Sequence, residues 1–282
     1  MPVRPLAVPI LIVALAATLL GCQESGFDES KETARPLKVQ HALGETKVPG
    51  QARDPLTLTV DTLDDTLALA VHPARAAVPG GALPPYLRSV GRDLSLMRPA
   101  TASDLAAVDA VHPDLILGSA DRQERLYEDL SRIAPTVMTD GGGGQWKLNL
   151  RLVGEALGRT NDAEGLLTAY DREAAQTRAA IRHAHPQDRE QPTRRVAVAR
   201  LTPDGLRFAT AESFAGTILA DAGVRLVSSL DKADAVLLAT SPGARGHVDG
   251  NFTRVDGALW FGDGGALAGK AALADLQRAL AT

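Results

Sequence analysis

The stretch "TNDAEGLLTAYDREAAQTRAAIR", residues 160–182, decides the fold of this chain because it predicts one long helix in the middle of the sequence. Thr160 or Asn161 can cap its start, and acidic residues in the first turn suit a helix N-terminus. About 22 residues at ~1.5 Å per residue make a rod of ~33 Å. The segment before it, "QWKLNLRLVGEAL", predicts another helix that ends at Gly158. No strand pattern occurs within residues 145–184, so we expect this segment to be entirely helical apart from the break at Gly158.

Strand-like runs alternate with helical patterns on both sides of this helical segment. Before it, apolar runs such as "LTLTV" (56–60) and "PDLILGS" (113–119) are separated by amphipathic stretches. After it, "RRVAVAR" (194–200) and "ADAVLLAT" (233–240) resume the alternation. Strands separated by helices of about 10 to 15 residues indicate a parallel sheet covered on both faces. The pattern predicts an α/β protein with two Rossmann-like lobes joined by a long α-helix.

Three further predictions concern single elements. The stretch "DRQERLYEDLSRIA" (121–134) predicts one amphipathic helix, and "FTRVDGALW" (252–260) predicts a hairpin at a sheet edge. The last stretch, "GALAGKAALADLQRAL" (265–280), predicts a closing helix.

The N-terminal residues 1–21 have the pattern of an export signal. An apolar run from Leu6 to Leu20 is too short for a comfortable membrane span. It ends in "LLGC", which is similar to a bacterial lipobox, with Cys22 at the position that receives a lipid. The alternatives are an ordinary signal peptide with an incidental cysteine and an uncleaved anchor. Residues 22–36 are polar and charged, and we expect them to form a flexible tether.

Composition and charge exclude several classes of function. The net charge is −4, and the leader contributes only the cation Arg4, so the exported chain is slightly more acidic. The absence of a basic tract argues against nucleic acid as a partner. A single cysteine excludes a disulfide framework and a cysteine-based zinc site. A hydrophobic content of 45% is enough for a real core, in one large domain or in two lobes of about 100 residues.

Two glycine-rich stretches are candidates for anion binding. In "GGALAGKA" (264–271) the glycines and Lys270 have the spacing of a phosphate-binding loop, but Ala271 replaces the hydroxyl residue that would hold magnesium. A turn followed by an alanine-rich helix is the alternative interpretation. The stretch "DGGGGQW" (140–146) could bring backbone amides close to a ligand, although it matches no dinucleotide fingerprint. The sequence therefore does not favour nucleotide hydrolysis.

The sequence contains no recognisable catalytic or metal-binding motif. The six histidines include no His-Glu-x-x-His pair, and no Gly-x-Ser-x-Gly elbow is present. A histidine cage would require long-range folding, and histidines that are solvated or lie at the core edge are the alternative. We expect a protein without catalytic residues, resident metal or cofactor.

Arginines and tryptophans are the main candidates for ligand contact. Arg200 follows the apolar run "VAVA", so we expect it at the carboxyl end of a strand, where open α/β sheets bind ligands. An exposed solubilising charge is the alternative. Trp146 and Trp260 could stack on a ligand or fill the core. The predicted ligand-binding residues are Tyr86, Arg88, Ser119, Trp146, Arg200 and Trp260.

Several stretches follow the leader in the order found in a known family. They are "SDLAAVDAVHPDLILGS", "LYEDLSRIAPTVMT", "WKLNLRLVGEALGRTNDAEGLLTAYDRE" and "ESFAGTILADAGV". Together they resemble the iron–siderophore binding lipoproteins of bacterial ABC importers (FecB-like proteins), over most of residues 37–282. The resemblance implies the helical-backbone periplasmic-binding-protein fold, in which one rigid helix joins two lobes and the ligand lies between them.

The resemblance also implies an organisation and a function. The expected segments are a lipoprotein signal peptide (1–21), a tether (22–36), an N-terminal α/β lobe (37–145), a connecting helical segment (146–184) and a shortened C-terminal α/β lobe (185–282). The implied function is capture of a ferric siderophore or similar iron chelate for an ABC importer at the outer face of the cell membrane. Arginines would neutralise hydroxamate, catecholate or carboxylate oxygens, and the rigid helix would permit only a small closure.

Two departures from the family leave other functions open. Family members often carry a surface glutamate on each lobe, thought to dock on permease arginines, at the positions of Ala106 and Thr217 here. The second lobe is also short after the strand at 233–240. The alternatives are an envelope interaction or scavenging module that lost permease delivery, and a haem or metal-ion binder.

Overall fold

The computed structural model describes residues 35–101, 104–186, 194–244 and 248–281. These residues belong to a single compact unit of the chain. The predicted signal peptide, the lipidation of Cys22 and most of the predicted tether lie outside the described residues.

The described chain begins with an antiparallel hairpin, of which the sequence pattern predicts only the first strand. Strand β1 (Leu37–His41) pairs with β2 (Gly44–Val48). Val39 and Val48 are buried, whereas most of the remaining side chains of the hairpin are exposed. The second strand escapes prediction because its polar residues leave only one buried position.

The first lobe is a parallel five-stranded sheet with helices between its strands. The strands are β3 (Pro55–Thr57), β4 (Arg75–Ala77), β5 (Leu96–Met97), β6 (Leu115–Ser119) and β7 (Thr136–Thr139). The helices are α1 (Val60–Ala68), α2 (Leu105–Asp109), α3 (Ala120–Gln123) and α4 (Tyr127–Ile133). The strand order is β5-β4-β3-β6-β7, and every described pairing is parallel. The single helix predicted over 121–134 is wrong, because a 3₁₀ turn at Glu124–Leu126 separates α3 from α4.

Two helices connect the lobes, as the sequence predicts. Helix α5 (Trp146–Ala156) ends before Gly158, which has a φ of +68°, and helix α6 (Thr160–Ala184) extends over 25 residues. The helices approach closely because Gly154 lacks a side chain: a Cβ there would lie 2.7 Å from that of Ala163. The buried residues of α6 recur every three or four positions, which gives the helix one apolar face. They are Ala163, Leu167, Tyr170, Ala174, Thr177 and Ile181.

The second lobe contains a mixed sheet, also of five strands. Its elements are β8 (Arg195–Thr202), β9 (Gly205–Phe208), α7 (Phe214–Asp221), β10 (Arg225–Leu226), β11 (Ala235–Thr240), β12 (Thr253–Arg254) and α8 (Gly257–Trp260). The order is β10-β8-β11-β12 with parallel pairing, and β9 pairs antiparallel with β8. The hairpin predicted over 252–260 is wrong. The short strand β12 runs parallel to β11, and the Asp256 side chain then caps α8 by accepting from the Ala258 N–H.

The last helix, α9 (Ala266–Leu280), leaves the second lobe and packs against α6 and α1. One hydrophobic core therefore runs from the first sheet through α5, α6 and α9 into the second sheet, and includes Leu117, Leu150, Leu273 and Val198. A continuous core across both lobes makes a large hinge motion costly, because closure would have to separate packed side chains.

Candidate functional site

A cavity of about 740 Å³ lies between the lobes. In the first lobe its walls are the segments that follow β3, β4 and β5 and the helix α3 that follows β6. Of the described residues of the second lobe, Ala258, Phe261, Gly262 and Asp263 line it. The carboxyl ends of parallel strands are where open α/β sheets bind ligands, and the volume is within the range of about 300–1,000 Å³ found for small-molecule sites.

Most of the cavity wall is apolar. Four prolines supply rigid surface at positions 79, 84, 85 and 99, and Leu58, Val78 and Phe261 add larger apolar side chains. Thr59 and Gln123 are the uncharged polar side chains of the wall. The Gln123 side-chain oxygen accepts from the Ser119 N–H at 2.9 Å, so this amide is held in place by the first sheet.

Asp61 is the most unusual charged group of the wall. It lies in the first turn of α1 and is only 4% exposed. Its pKa is raised from 3.8 to about 6, mainly by burial and to a smaller extent by the nearby Asp263 carboxylate, against a hydrogen bond with Thr59 and the charge of Arg122, which lower the pKa.

An ion pair joins the lobes at the edge of the cavity. Arg122, on α3 of the first lobe, donates to the Asp263 carboxylate of the second lobe, and both side chains keep partial contact with solvent. The pair raises the pKa of Arg122. The positive charge of Arg122 is therefore already balanced by an acid of this chain.

The two arginines predicted to bind ligand have different positions. Arg88 lies on the cavity wall and is exposed; its Nε approaches the Leu83 carbonyl oxygen at 3.4 Å. Arg200 does not line the cavity; it donates to the Gly257 carbonyl, and its guanidinium lies 4.3 Å from the ring centroid of Phe261. Arg200 thus supports Phe261, which contacts the cavity.

Both tryptophans were predicted to bind ligand, but the structure places them in the core. Trp146 and Trp260 are each 1% exposed, and neither lines the cavity. The Trp146 ring packs edge-on against Tyr170, with centroids 4.7 Å apart, and the Trp260 indole donates to Asp275 at 3.1 Å. Of the two interpretations left open by the sequence, core filling is therefore the one the structure supports.

Tyr86 and Ser119 also lie off the cavity wall. The Tyr86 hydroxyl hydrogen-bonds with the buried Asp64, and burial raises the pKa of Tyr86. Ser119 is buried at the end of β6 and donates to Asp121. The sequence analysis did not predict Asp61 and Arg122 as site residues. Each of them follows a predicted strand, and the same feature identified Arg200 as a candidate.

The glycine–lysine stretch 264–271 forms the N-terminus of α9, and this N-terminus binds anionic groups. These groups are side-chain carboxylates of the same chain. Asp64 accepts from the Leu267 and Ala268 N–H groups at 2.7 and 2.9 Å, and Asp65 accepts from the Ala266 N–H at 3.0 Å. A Cβ at Gly265 would lie 2.8 Å from an Asp64 oxygen and would overlap Asp65. The two carboxylates occupy the place that a phosphate would take, and they join α1 to α9. We call this contact the carboxylate cap.

Both acids of the carboxylate cap are completely buried. Asp64 and Asp65 are each at most 1% exposed. Burial raises the pKa of both groups, and the two charges oppose each other, while the backbone N–H groups of α9 favour the ionised form.

The glycine stretch 140–146 brings the lobes together and does not line the cavity. A Cβ at Gly143 would lie 3.1 Å from the backbone nitrogen of Phe214, and one at Gly144 would overlap the Glu212 carbonyl. Its glycines serve close backbone packing between the loop and the start of α7.

The two positions considered for permease contact differ in exposure. Ala106 is exposed on α2, whereas Thr217 is half-buried on α7 and donates to the Phe214 carbonyl at 2.8 Å.

Among the described residues, no helix is both long enough and apolar enough to cross a membrane. The same residues contain no group of three histidine, cysteine or acidic side chains placed to hold a metal ion.

A family model described as periplasmic binding protein matches residues 58–232, more than half of the chain. The chain belongs to this family. Its members are solute-binding proteins, which hold a ligand without changing it chemically. The matched range begins directly after β3, covers the rest of the first lobe and the connecting helices, and ends in the second lobe.

Curated relatives are bacterial binding proteins. The chain is 25% identical over 218 residues to the probable siderophore-binding lipoprotein YfiY of Bacillus subtilis, which covers 76% of this chain and 65% of the relative. It is 28% identical over 161 residues to the petrobactin-binding protein YclQ of the same organism, with 55% and 49% covered. The chain thus spans less than two thirds of the length of these relatives.

Solved structures support the two-lobed fold. Staphylococcus aureus SirA in complex with staphyloferrin B superimposes with a TM-score of 0.73 at 25% identity, covering 86% of this chain and 98% of SirA. The fold predicted from the sequence, two α/β lobes joined by a long helix, is confirmed.

Proposed function

We propose that this protein is a lipid-anchored, extracytoplasmic solute-binding protein that captures a ferric siderophore or a similar iron chelate for an ABC importer. The observation that carries the proposal is the interlobe cavity at the carboxyl ends of the strands of the first lobe. The relatives named above include a probable siderophore-binding lipoprotein and a petrobactin-binding protein, which supports the ligand class.

Capture requires no chemistry from the protein. The apolar wall removes water from the ligand surface, and Arg88, Thr59 and Gln123 offer polar contacts that set its orientation. Because the core is continuous through α5, α6 and α9, we expect the lobes to close only slightly on the ligand.

The direct test measures binding of chelates loaded with radioactive iron by equilibrium dialysis. Two variants block the cavity from opposite sides, Ala82→Trp in the first lobe and Ala258→Trp in the second. Ala175→Trp, on an exposed position of α6, is the matched control. We expect each cavity variant to weaken binding at least about 10-fold and the control to leave it unchanged. Failure of every ferric chelate to bind the unmodified protein would refute the proposal.

The membrane anchor has a separate test. Replacement of Cys22 by Ala removes the only sulfur that could accept a lipid at the leader. We expect the variant to lose the radioactive label that the unmodified protein incorporates from palmitate, with iron-chelate binding retained. Equal labelling of the variant and the unmodified protein would refute lipid attachment at Cys22.

A further inference from the structure

The charges on the cavity wall restrict the chemistry of the ligand. Four described residues of the wall carry a formal charge at neutral pH: Asp61, Arg88, Arg122 and Asp263. Their formal charges sum to zero. A site for a highly charged anion would show an excess of cations, because each uncompensated negative charge of the ligand must be balanced as water is removed.

The pairing inside the wall makes its positive charge still less available. Arg122 is held by Asp263, and a ligand oxygen would have to compete with that carboxylate for the guanidinium. Arg200 does not line the cavity, and its guanidinium donates to the Gly257 carbonyl and stacks on the Phe261 ring. Among the described wall residues, Arg88 is thus the cation without an acidic partner in an ion pair.

Asp61 opposes an anionic ligand directly. Its carboxyl group lies on the wall, is almost fully buried and has no cation in an ion pair with it in the described structure. A multiply charged anion in the cavity would place like charges together in a medium of low dielectric constant, which disfavours its binding. A ligand without net negative charge meets no such penalty.

The common iron-chelating groups differ in this respect. Three hydroxamates, each with one negative charge, balance the charge of the ferric ion. Three catecholates, each doubly charged, leave a complex with a triple negative charge, and citrate complexes are also anionic. We infer that the cavity is built for a ferric trihydroxamate, an electrically neutral chelate, and not for a catecholate or citrate complex. This inference rests on the proposed function and sharpens it.

The first experiment compares three chelates on the unmodified protein by equilibrium dialysis with radioactive iron. They are ferrichrome as a neutral trihydroxamate, ferric enterobactin as a tris-catecholate, and ferric citrate. We expect ferrichrome to bind at least about 100-fold more tightly than either anion. Tighter binding of enterobactin or citrate would overturn the inference while leaving iron-chelate capture intact. Failure of all three to bind would count against both proposals.

A second measurement needs no variant and tests the charge of the complex. A neutral ligand has no net charge for salt to screen, so we expect the dissociation constant of ferrichrome to change less than about 2-fold between ~0.05 M and ~0.5 M salt. A weakening of about 10-fold would show that attraction between opposite charges carries the binding, and would overturn the inference.

A charge variant tests the role of the acidic wall. In Asp61→Asn the shape is kept and one negative charge is removed, so we expect the affinity for ferric enterobactin to rise at least about 10-fold relative to that for ferrichrome. Asp204→Asn, on the exposed turn between β8 and β9, is the matched control and should change neither. An equal response of the two chelates to Asp61→Asn would contradict the inference.

Discussion

Two contacts made by carboxylates join the first lobe to residues 263–268. One of them is in contact with solvent and the other is buried. At the edge of the cavity, Asp263 pairs with Arg122 in contact with solvent. A short distance along the chain, the carboxylate cap joins Asp64 and Asp65 to the start of α9 without solvent contact. Screening by water weakens the first contact, whereas loss of an acceptor in the second would leave buried N–H groups without a partner. We therefore expect the buried contact to determine stability and the exposed one to affect mainly the cavity.

The largest effect is expected for Asp64→Ala. The substitution removes the acceptor of one buried and one partly buried N–H group of α9, and an orphaned buried donor costs about 2 kcal/mol, so the free energy of unfolding should fall by about 3 kcal/mol. Chemical denaturation measures the change. The matched control is Asp162→Ala, an exposed acid in the first turn of α6, which should cost about 0.5 kcal/mol. Equal costs for the two substitutions would show that the cap is no stronger than an exposed helix-terminus charge.

The next effect depends on pH and concerns Asp61. Because burial raises its pKa from 3.8 to about 6, the folded state binds more protons than the unfolded state between these values. Stability is therefore lost as the pH rises through this range. Asp61→Asn removes the effect, so the variant should gain up to about 3 kcal/mol over the unmodified protein at pH 7 and little at pH 4. Denaturation at both pH values gives the difference, and a gain independent of pH would contradict the prediction.

A third prediction compares two glycines. Gly265→Ala places a methyl group against Asp64 and Asp65 and should destabilise the protein by about 2 kcal/mol. Gly165→Ala, in the second turn of α6 with open space around it, should instead stabilise by about 1 kcal/mol because alanine favours a helix. Thermal unfolding of both variants shows the two signs, and destabilisation of similar size at both sites would refute the steric argument.

The elements that follow simple periodicity could be predicted closely from the sequence. Helix α6 begins at Thr160 and ends at Ala184, within two residues of the predicted end, since its apolar positions repeat on one face over many turns. The strand at Leu115–Ser119 lies inside its predicted range because a continuous apolar run feeds a buried parallel strand. The segment 252–260 was predicted wrongly, since two extended residues and a short helix produce no clear period.

The candidate site was harder to predict because its contacts join distant parts of the chain. Asp64 and Asp65 lie in a helix whose sequence marks them as ordinary surface acids, and their partners follow about two hundred positions later. The tryptophans were predicted at the ligand site but lie in the core. A large aromatic side chain suits both places equally well, and only the packing of Trp146 on Tyr170 decides between them.

The smallest expected effect belongs to the ion pair between Arg122 and Asp263. Both partners keep contact with solvent, so a double-mutant cycle of Arg122→Gln and Asp263→Asn should give a coupling free energy below about 1 kcal/mol, decreasing with added salt. Chemical denaturation of the two single variants and the double variant at low and high salt measures it. Coupling as large as the cost of Asp64→Ala would mean that the exposed pair clamps the lobes. A small value leaves the pair free to separate when a ligand enters, while the carboxylate cap keeps α9 fixed on the first lobe.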